Sequence, residues 1–240
     1  SSYREQLQAA SDLLRDLTPI VRILPALGGY PDGSEFLLIM QNNDELRPTG
    51  GFIGVYGLAK IKAGDIVSLD SEDSYHLDMP AVGKWKLEPP MPIKKYMSVD
   101  NWYLRDANWT PDWPASARKI EEIYAGESQA AGQVPPEFTG VIAINPDFAS
   151  ALLNLVGPIT VDGEEYNADN FQKLLQYNVE VAYKDQAISS WNRKDVVNKI
   201  LTELRSRLFR LPSSSWKTLL GVVKDNIATR NLQMYMDDAS

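Results

Sequence analysis

Between two apolar runs, Phe36–Met40 and Phe52–Ile61, the chain places eleven residues rich in chemistry, Gln41-Asn42-Asn43-Asp44-Glu45-Leu46-Arg47-Pro48-Thr49-Gly50-Gly51. One guanidinium among carboxamides and two carboxylates, followed by a proline and a glycine pair, fits two roles. In the first, Arg47 ties the Asn/Asp/Glu cluster together while Pro48 and the glycines set the turn. In the second, Arg47 presents a bidentate fork and the Gly50 and Gly51 amides, with Thr49 beside them, form a nest around a phosphate or carboxylate. The glycines match neither G-x-G-x-x-G nor G-x-x-x-x-G-K-[ST], so no dinucleotide or P-loop site follows.

A second group, Arg105, Asp106 and Asn108, lies between Trp102 and Trp109. Arg105 and Asp106 either neutralise each other in a loop, or Asp106 orients the Arg47 guanidinium while Asn108 bonds backbone or ligand. Flanking aromatics desolvate the pair and force it to find partners, which favours the second reading. Glu72, Asp73 and Asp106 supply the oxygen donors that Mg²⁺ prefers, so Mg²⁺ is a candidate cofactor. His76 is the single histidine. Sites built on several histidines are therefore excluded, no serine stands in a G-x-S-x-G elbow, and His76 reads as a solvated loop residue.

Composition narrows the partner class. A net charge of -8 argues against a nucleic-acid backbone, whose binding depends on Lys and Arg neutralising phosphates, although a local basic patch is compatible with it. The absence of cysteine excludes disulfides, thiolate metal sites and a cysteine nucleophile. A hydrophobic fraction of 44% and a charged fraction of 23% are ordinary for a folded chain.

The elements that must position these residues follow from periodicity. Phe36–Met40 reads as a central strand buried on both faces, Phe52–Ile61 as its neighbour, and Ile66–Leu69 as the return of a hairpin. From Tyr3 to Leu27, apolar residues at Leu7, Ala10, Leu14, Leu17, Val21 and Leu24 give one helical seam, either packed on the domain or ending a helical stalk. The interval from Ser71 to Pro114 reads as irregular and holds four of the six tryptophans, which form either a private core or an apolar or sugar-binding surface. Asp112 caps a helix through Tyr124, Gly126 to Pro136 reads as a loop, and Thr139–Ile144 is a strand. Helices from Asn145, Asn167, Arg193 and Ser215 follow, with a short strand at Ile159–Val161. Alternating strands and helices predict an α/β class, three-layer α/β/α with a mixed central sheet. An N-terminal helical segment over 1–29 precedes a single domain over 30–240.

Asn43-Asp44-Glu45-Leu46-Arg47-Pro48-Thr49-Gly50-Gly51-Phe52-Ile53-Gly54, with Arg105-Asp106-Ala107-Asn108-Trp109 and Asp112-Trp113-Pro114, resembles the signature of a bacterial surface family, domain of unknown function 4012. The order of elements is more distantly similar to the LytR-CpsA-Psr family, which transfers glycopolymers from polyprenyl pyrophosphate carriers to the cell wall using arginines, aspartates and Mg²⁺. On that resemblance Arg47 matches the arginine of an R-S-D-T motif, Asp73 the aspartate of P-R-D, and Arg193 a late arginine, while Val156–Val161 resembles a glycine-glycine-valine strand. The aspartate of R-S-D-T has no counterpart beside Pro48, Glu72 stands where P-R-D has its arginine, and the paired arginines near Tyr177 and Asn178 are missing. The resemblance implies an extracytoplasmic domain of a bacterial envelope protein, anchored in the membrane upstream of this chain. It would bind a polyprenyl-phosphate lipid or a cell-wall glycan and, if it catalyses, act as a phosphotransferase or glycopolymer ligase. The rival reading is a non-catalytic interaction module on a membrane-anchored helical stalk.

Overall fold

The computed structural model describes residues 4, 8, 23–182 and 194–237. Five strands form the central sheet in the order β3-β2-β1-β4-β7: β1 (Ser34–Asn42), β2 (Phe52–Lys62), β3 (Asp65–Asp73), β4 (Gly140–Ile144) and β7 (Leu232–Met236). β1 and β4 run parallel and the other neighbours antiparallel, so the sheet is mixed, with Phe36–Met40 at its centre as predicted. Strands β5 (Ile159–Val161) and β6 (Glu164–Tyr166) make a separate hairpin.

Alternation along β1 sends Leu37 and Ile39 to one face and Leu38 and Met40 to the other. On the first face Leu37 and Ile39 pack with Ile53, Tyr56, Val141 and Ala143 into one core. Helix α1 (Ser74–Ala81), the 3₁₀ turn Leu104–Asp106 and helix α3 (Trp113–Ala130) close that core from above, while a short helix α2 (Met91–Met97) lies between α1 and the turn in sequence. On the second face stand α4 (Pro146–Val156), α5 (Phe171–Tyr177), α6 (Asp195–Phe209) and α7 (Trp216–Ala228). The core of that layer joins Leu152, Leu153, Ile159, Tyr166, Ile200 and Leu204, and it contains no residue of the five-stranded sheet. The three layers are therefore cemented unequally: dense contact on one side, a second core standing off from the sheet on the other.

Several expectations are corrected. The interval after Ser71 is irregular only in part: residues 82–90, 98–103 and 107–112 lie outside helix and strand, but β3 runs to Asp73 and hands directly to α1, whose first turn Asp73 caps by accepting from the Tyr75 amide. Three of its tryptophans, Trp85, Trp102 and Trp113, are partly buried against the main core on the first face of the sheet rather than forming a core of the segment's own. Helix α3 does not stop near Tyr124 but continues to Ala130 through Gly126. There a Cβ would lie 2.1 Å from the Trp85 ring, so Gly126 is a packing glycine rather than a helix breaker. Strand β7 was not anticipated. The helix expected from Asn167 begins at Phe171 as α5 (Phe171–Tyr177) and continues as a π-helical turn, Asn178–Ala182. Residues 23–27 are helical, and the seam from Leu7 to Val21 lies outside the described residues.

Candidate functional site

Most of the predicted site converges at the C-terminal end of β1. The Arg47 guanidinium, 16% exposed, directs both Nε and Nη2 at Asp106 Oδ1, each at 2.9 Å, and Nη1 donates to the Leu46 carbonyl. Phe52 covers it at 5.3 Å. Asp106 thus orients Arg47, as one reading of the sequence expected. Asn108, fully buried, donates from Nδ2 to Thr49 Oγ1 at 2.9 Å and to the Gly51 carbonyl at 2.7 Å. Gln41 Nε2 also donates to Thr49 Oγ1, and Gln233 on β7 donates to the Thr49 carbonyl. The glycine pair is demanded by backbone crowding: Gly51, at φ +151°, would place a Cβ 2.1 Å from the Asn42 carbonyl oxygen. Arg47, Thr49, Gly50, Gly51, Asp106 and Asn108 are in this way tied chiefly to one another and to the ends of β1 and β7.

Arg105 extends the cluster inward. Its Nη1 donates to Asp78 Oδ2 at 2.6 Å, its Nε lies 3.8 Å from Asp106 Oδ2, and the rings of Tyr75 and Tyr103 stack on it. Behind Asp78 stands Glu127 of α3, fully buried, with Oε1 accepting from the Leu104 amide. The remaining oxygens, Asp78 Oδ1 and Glu127 Oε2, are buried without a donor, and the two carboxyls lie against each other. Two acceptors can share that contact only through a proton. Burial pushes Glu127 up to about 10, and Asp78, buried but held by Arg105, up to about 6. With Glu127 neutral, the cations Arg47 and Arg105 balance the anions Asp106 and Asp78, and the cluster carries no net charge. Sequence reading missed Asp78 and Glu127 because their partners are distant in the chain, although an acid on the apolar face of α3 was a signal.

Asp73 lies apart from this cluster. It pairs with Lys194 at 3.0 Å, and Lys194 also donates to the Gly54 carbonyl at 2.6 Å. Glu72 meets His76 Nδ1 at 2.5 Å, so His76 is a largely covered residue of α1 rather than a solvated loop histidine. Among the described residues no three carboxylate or imidazole groups converge as a metal set. Arg193 lies outside the described residues.

A further feature of the site is one that sequence reading did not find. A cavity of about 330 Å³ opens between the second face of the sheet and helices α4, α5 and α6. Met40, Val55, Ile144, Leu152, Leu175 and Leu201 are representative of its mainly apolar wall. Over this stretch the sheet and the helices stand apart, meeting again where α6 packs on β3, because the helices bury their own core among themselves and the β5–β6 hairpin. Polar groups gather where the Asn42–Glu45 segment meets α5, with Gln172 Nε2 donating to Asp44 Oδ1 at 3.0 Å. Lys194 and Arg205 add two cations to the lining, Arg205 being anchored by donation to the Ile66 carbonyl. The Asn42–Glu45 segment borders the cavity on one side and leads into the Arg47 network on the other.

None of the curated proteins compared with the chain matches it. Similar solved structures include gbs0355 from Streptococcus agalactiae, at 15% identity over 85% of this chain and 69% of that one, with a TM-score of 0.47. Lin1025 from Listeria innocua is 14% identical over 86% and 73%, TM-score 0.47, and TagV from Bacillus subtilis 9% over 84% and 73%, TM-score 0.45. The α/β/α architecture itself stands on the chain's own sheet order. The family model described as "Protein of unknown function (DUF4012)" matches residues 32–179, which span both the Arg47 network and much of the cavity wall, and the chain belongs to that family.

Proposed function

We propose that this is an extracytoplasmic domain of a bacterial envelope protein, anchored upstream of the present chain, that holds the hydrocarbon part of a polyprenyl-phosphate lipid during handling of a surface polymer. The observation that carries the reading is the cavity between the sheet and α4–α6. Its volume lies in the range of about 300–1,000 Å³ typical of ligand sites, and its wall is apolar with a few cations and amides at the edge. A hydrocarbon chain gains from such a wall at roughly 25 cal/mol for each Å² of apolar surface covered. A glycan would require many polar partners and exposed aromatic platforms, whereas Trp85, Trp102 and Trp113 are packed into the core on the opposite face. Lys194 and Arg205 are the cations available to a phosphate head, Lys194 keeping its bond to Asp73 as the chain enters. The residues offer binding chemistry, and no step of group transfer is assigned to them.

The test is native mass spectrometry of the protein purified without detergent exchange, followed by titration with a short-chain polyprenyl phosphate, the matching polyprenol and inorganic phosphate. Binding of the first two, with the phosphate ester tighter, supports the reading. Binding of inorganic phosphate alone, or of none of the three, removes it and leaves the interaction module as the better account.

A further inference from the structure

We propose that helix α7, with the end of α6, is a docking surface for an anionic lipid bilayer. Along α7, Leu219, Val222 and Asn226 face inward, Leu219 and Val222 packing on the second core. At about 100° per residue a second stripe, Trp216, Leu220, Val223 and Ile227, lies roughly a quarter turn away from that face. Trp216 is 53% exposed, Leu220 64% and Ile227 43%. Lys217 and Lys224 project beside the stripe, a further quarter turn or so round, and both are exposed. A helix with an apolar stripe headed by tryptophan and edged by lysines is built to lie in a headgroup layer, with its rings in the acyl boundary and its ammonium groups among phosphates.

Charge distribution names the occupant. Between Arg210 and Arg230 the sequence holds four lysines and arginines, Arg210, Lys217, Lys224 and Arg230, against one acid, Asp225, in a chain whose net charge is -8; just upstream, Arg205 donates to the Ile66 carbonyl and Arg207 pairs with Glu203. This local excess of cations suits an anionic surface, and an apolar stripe beside them adds what a purely charged partner would not need. Continuity with the cavity points the same way. Phe209, seven residues before Trp216, is 55% exposed and also lines the cavity, so the surface that would meet the bilayer adjoins the space between sheet and helices. Docking here would bring that space to the membrane without requiring a lipid to cross water.

The experiment is co-sedimentation of the intact chain with vesicles of phosphatidylcholine alone or with 30 mol% phosphatidylglycerol, roughly a physiological anionic content, both free of polyprenyl lipid. Docking is thereby tested independently of cavity occupancy. Binding is expected only to the anionic vesicles, weakening as salt rises. K217E/K224E should lower the partition coefficient at least about 25-fold, near 5-fold for each lysine removed. L220S, at an exposed position where folding is not at risk, should lower it several-fold and leave the melting temperature unchanged. Absence of binding, equal binding to both vesicle types, or K217E/K224E binding like wild type would each overturn the proposal. So would a stripe occupied by a second copy, seen as a dimer in solution that L220S dissociates.

Discussion

Replacing Glu127 by glutamine should make the protein more stable at neutral pH, even though it removes a buried group from a hydrogen-bonded network. Glu127 is fully buried and retains its proton up to about pH 10, whereas in the unfolded chain it ionises near 4.5. The folded state therefore binds one more proton than the unfolded state between those values, and the slope of unfolding free energy with pH is negative. The stabilisation linked to that proton is complete below about pH 4.5 and is lost as pH rises towards 10, at about 1.4 kcal/mol per pH unit. Glutamine does not titrate. It keeps an acceptor for the Leu104 amide and can donate an N–H to Asp78 Oδ1, so its stability should lack this slope. The gap between variant and wild type should widen by roughly 3 kcal/mol from pH 6.5 to 8.5. In a chain of this size that corresponds to about 5–11 °C in melting temperature. Glu121, raised by burial and by Asp237 to about 7, titrates in both proteins and cancels in the difference. Denaturant unfolding at half-unit pH steps measures the gap. Parallel profiles for the two proteins would show that Glu127 is ionised in the fold and that the shared proton does not exist.

Gly126→Ala replaces a helix-interior glycine, which alone should add about 1 kcal/mol. The new methyl would lie 2.1 Å from Trp85, and overpacking of about 1–3 kcal/mol or more should win; a raised melting temperature would contradict the packing role. Arg47→Lys loses the fork on Asp106 and leaves that carboxylate buried, so stability should fall by about 3 kcal/mol in urea unfolding whether or not phosphate is present. A loss confined to ligand-dependent stabilisation would instead favour the anion-site reading. Leu201→Trp places an indole in the cavity from α6 and should abolish polyprenyl-phosphate binding while changing the melting temperature by only a few degrees; unimpaired binding would move the lipid elsewhere.

What was readable in the sequence was local. Phe36–Met40 declares a strand by being uniformly apolar, and Asp112 and Asn145 declare helix starts by side-chain caps, Asp112 accepting from Ala115 and Asn145 from Phe148. The pairing of Arg47 with Asp106 was accessible because guanidinium and carboxylate must find partners when aromatics exclude water. Strand β7 was not readable: Leu232–Met236 is short and follows helix α7 almost directly, and its place is fixed by pairing with β4. Gly126 misled because its reason, the Trp85 ring, comes from 41 residues earlier in the chain. The cavity was hidden for a related cause. Val197, Leu201 and Leu208 have the spacing of core residues, and periodicity cannot distinguish a side chain packed on a neighbour from one facing a hollow.

The two faces of the sheet divide the tasks that a binding protein must combine. On the face of α1 and α3, a continuous core and a charge-balanced network of five side chains hold the end of β1 rigidly. On the other face the helices complete their own core and leave a hollow against the sheet. The hollow is about 330 Å³ with a mainly apolar wall, surface that closer packing of the helices on the sheet would take out of water. A chain that can collapse such a space gains by doing so. The separate packing of Ile159, Tyr166 and Phe171 under α4 and α6 resists collapse, because closing the hollow would pull these residues out of a core they already fill. On the proposed reading the hollow receives a lipid chain, and a ligand present at a hundred times its dissociation constant would add about 2.7 kcal/mol to stability.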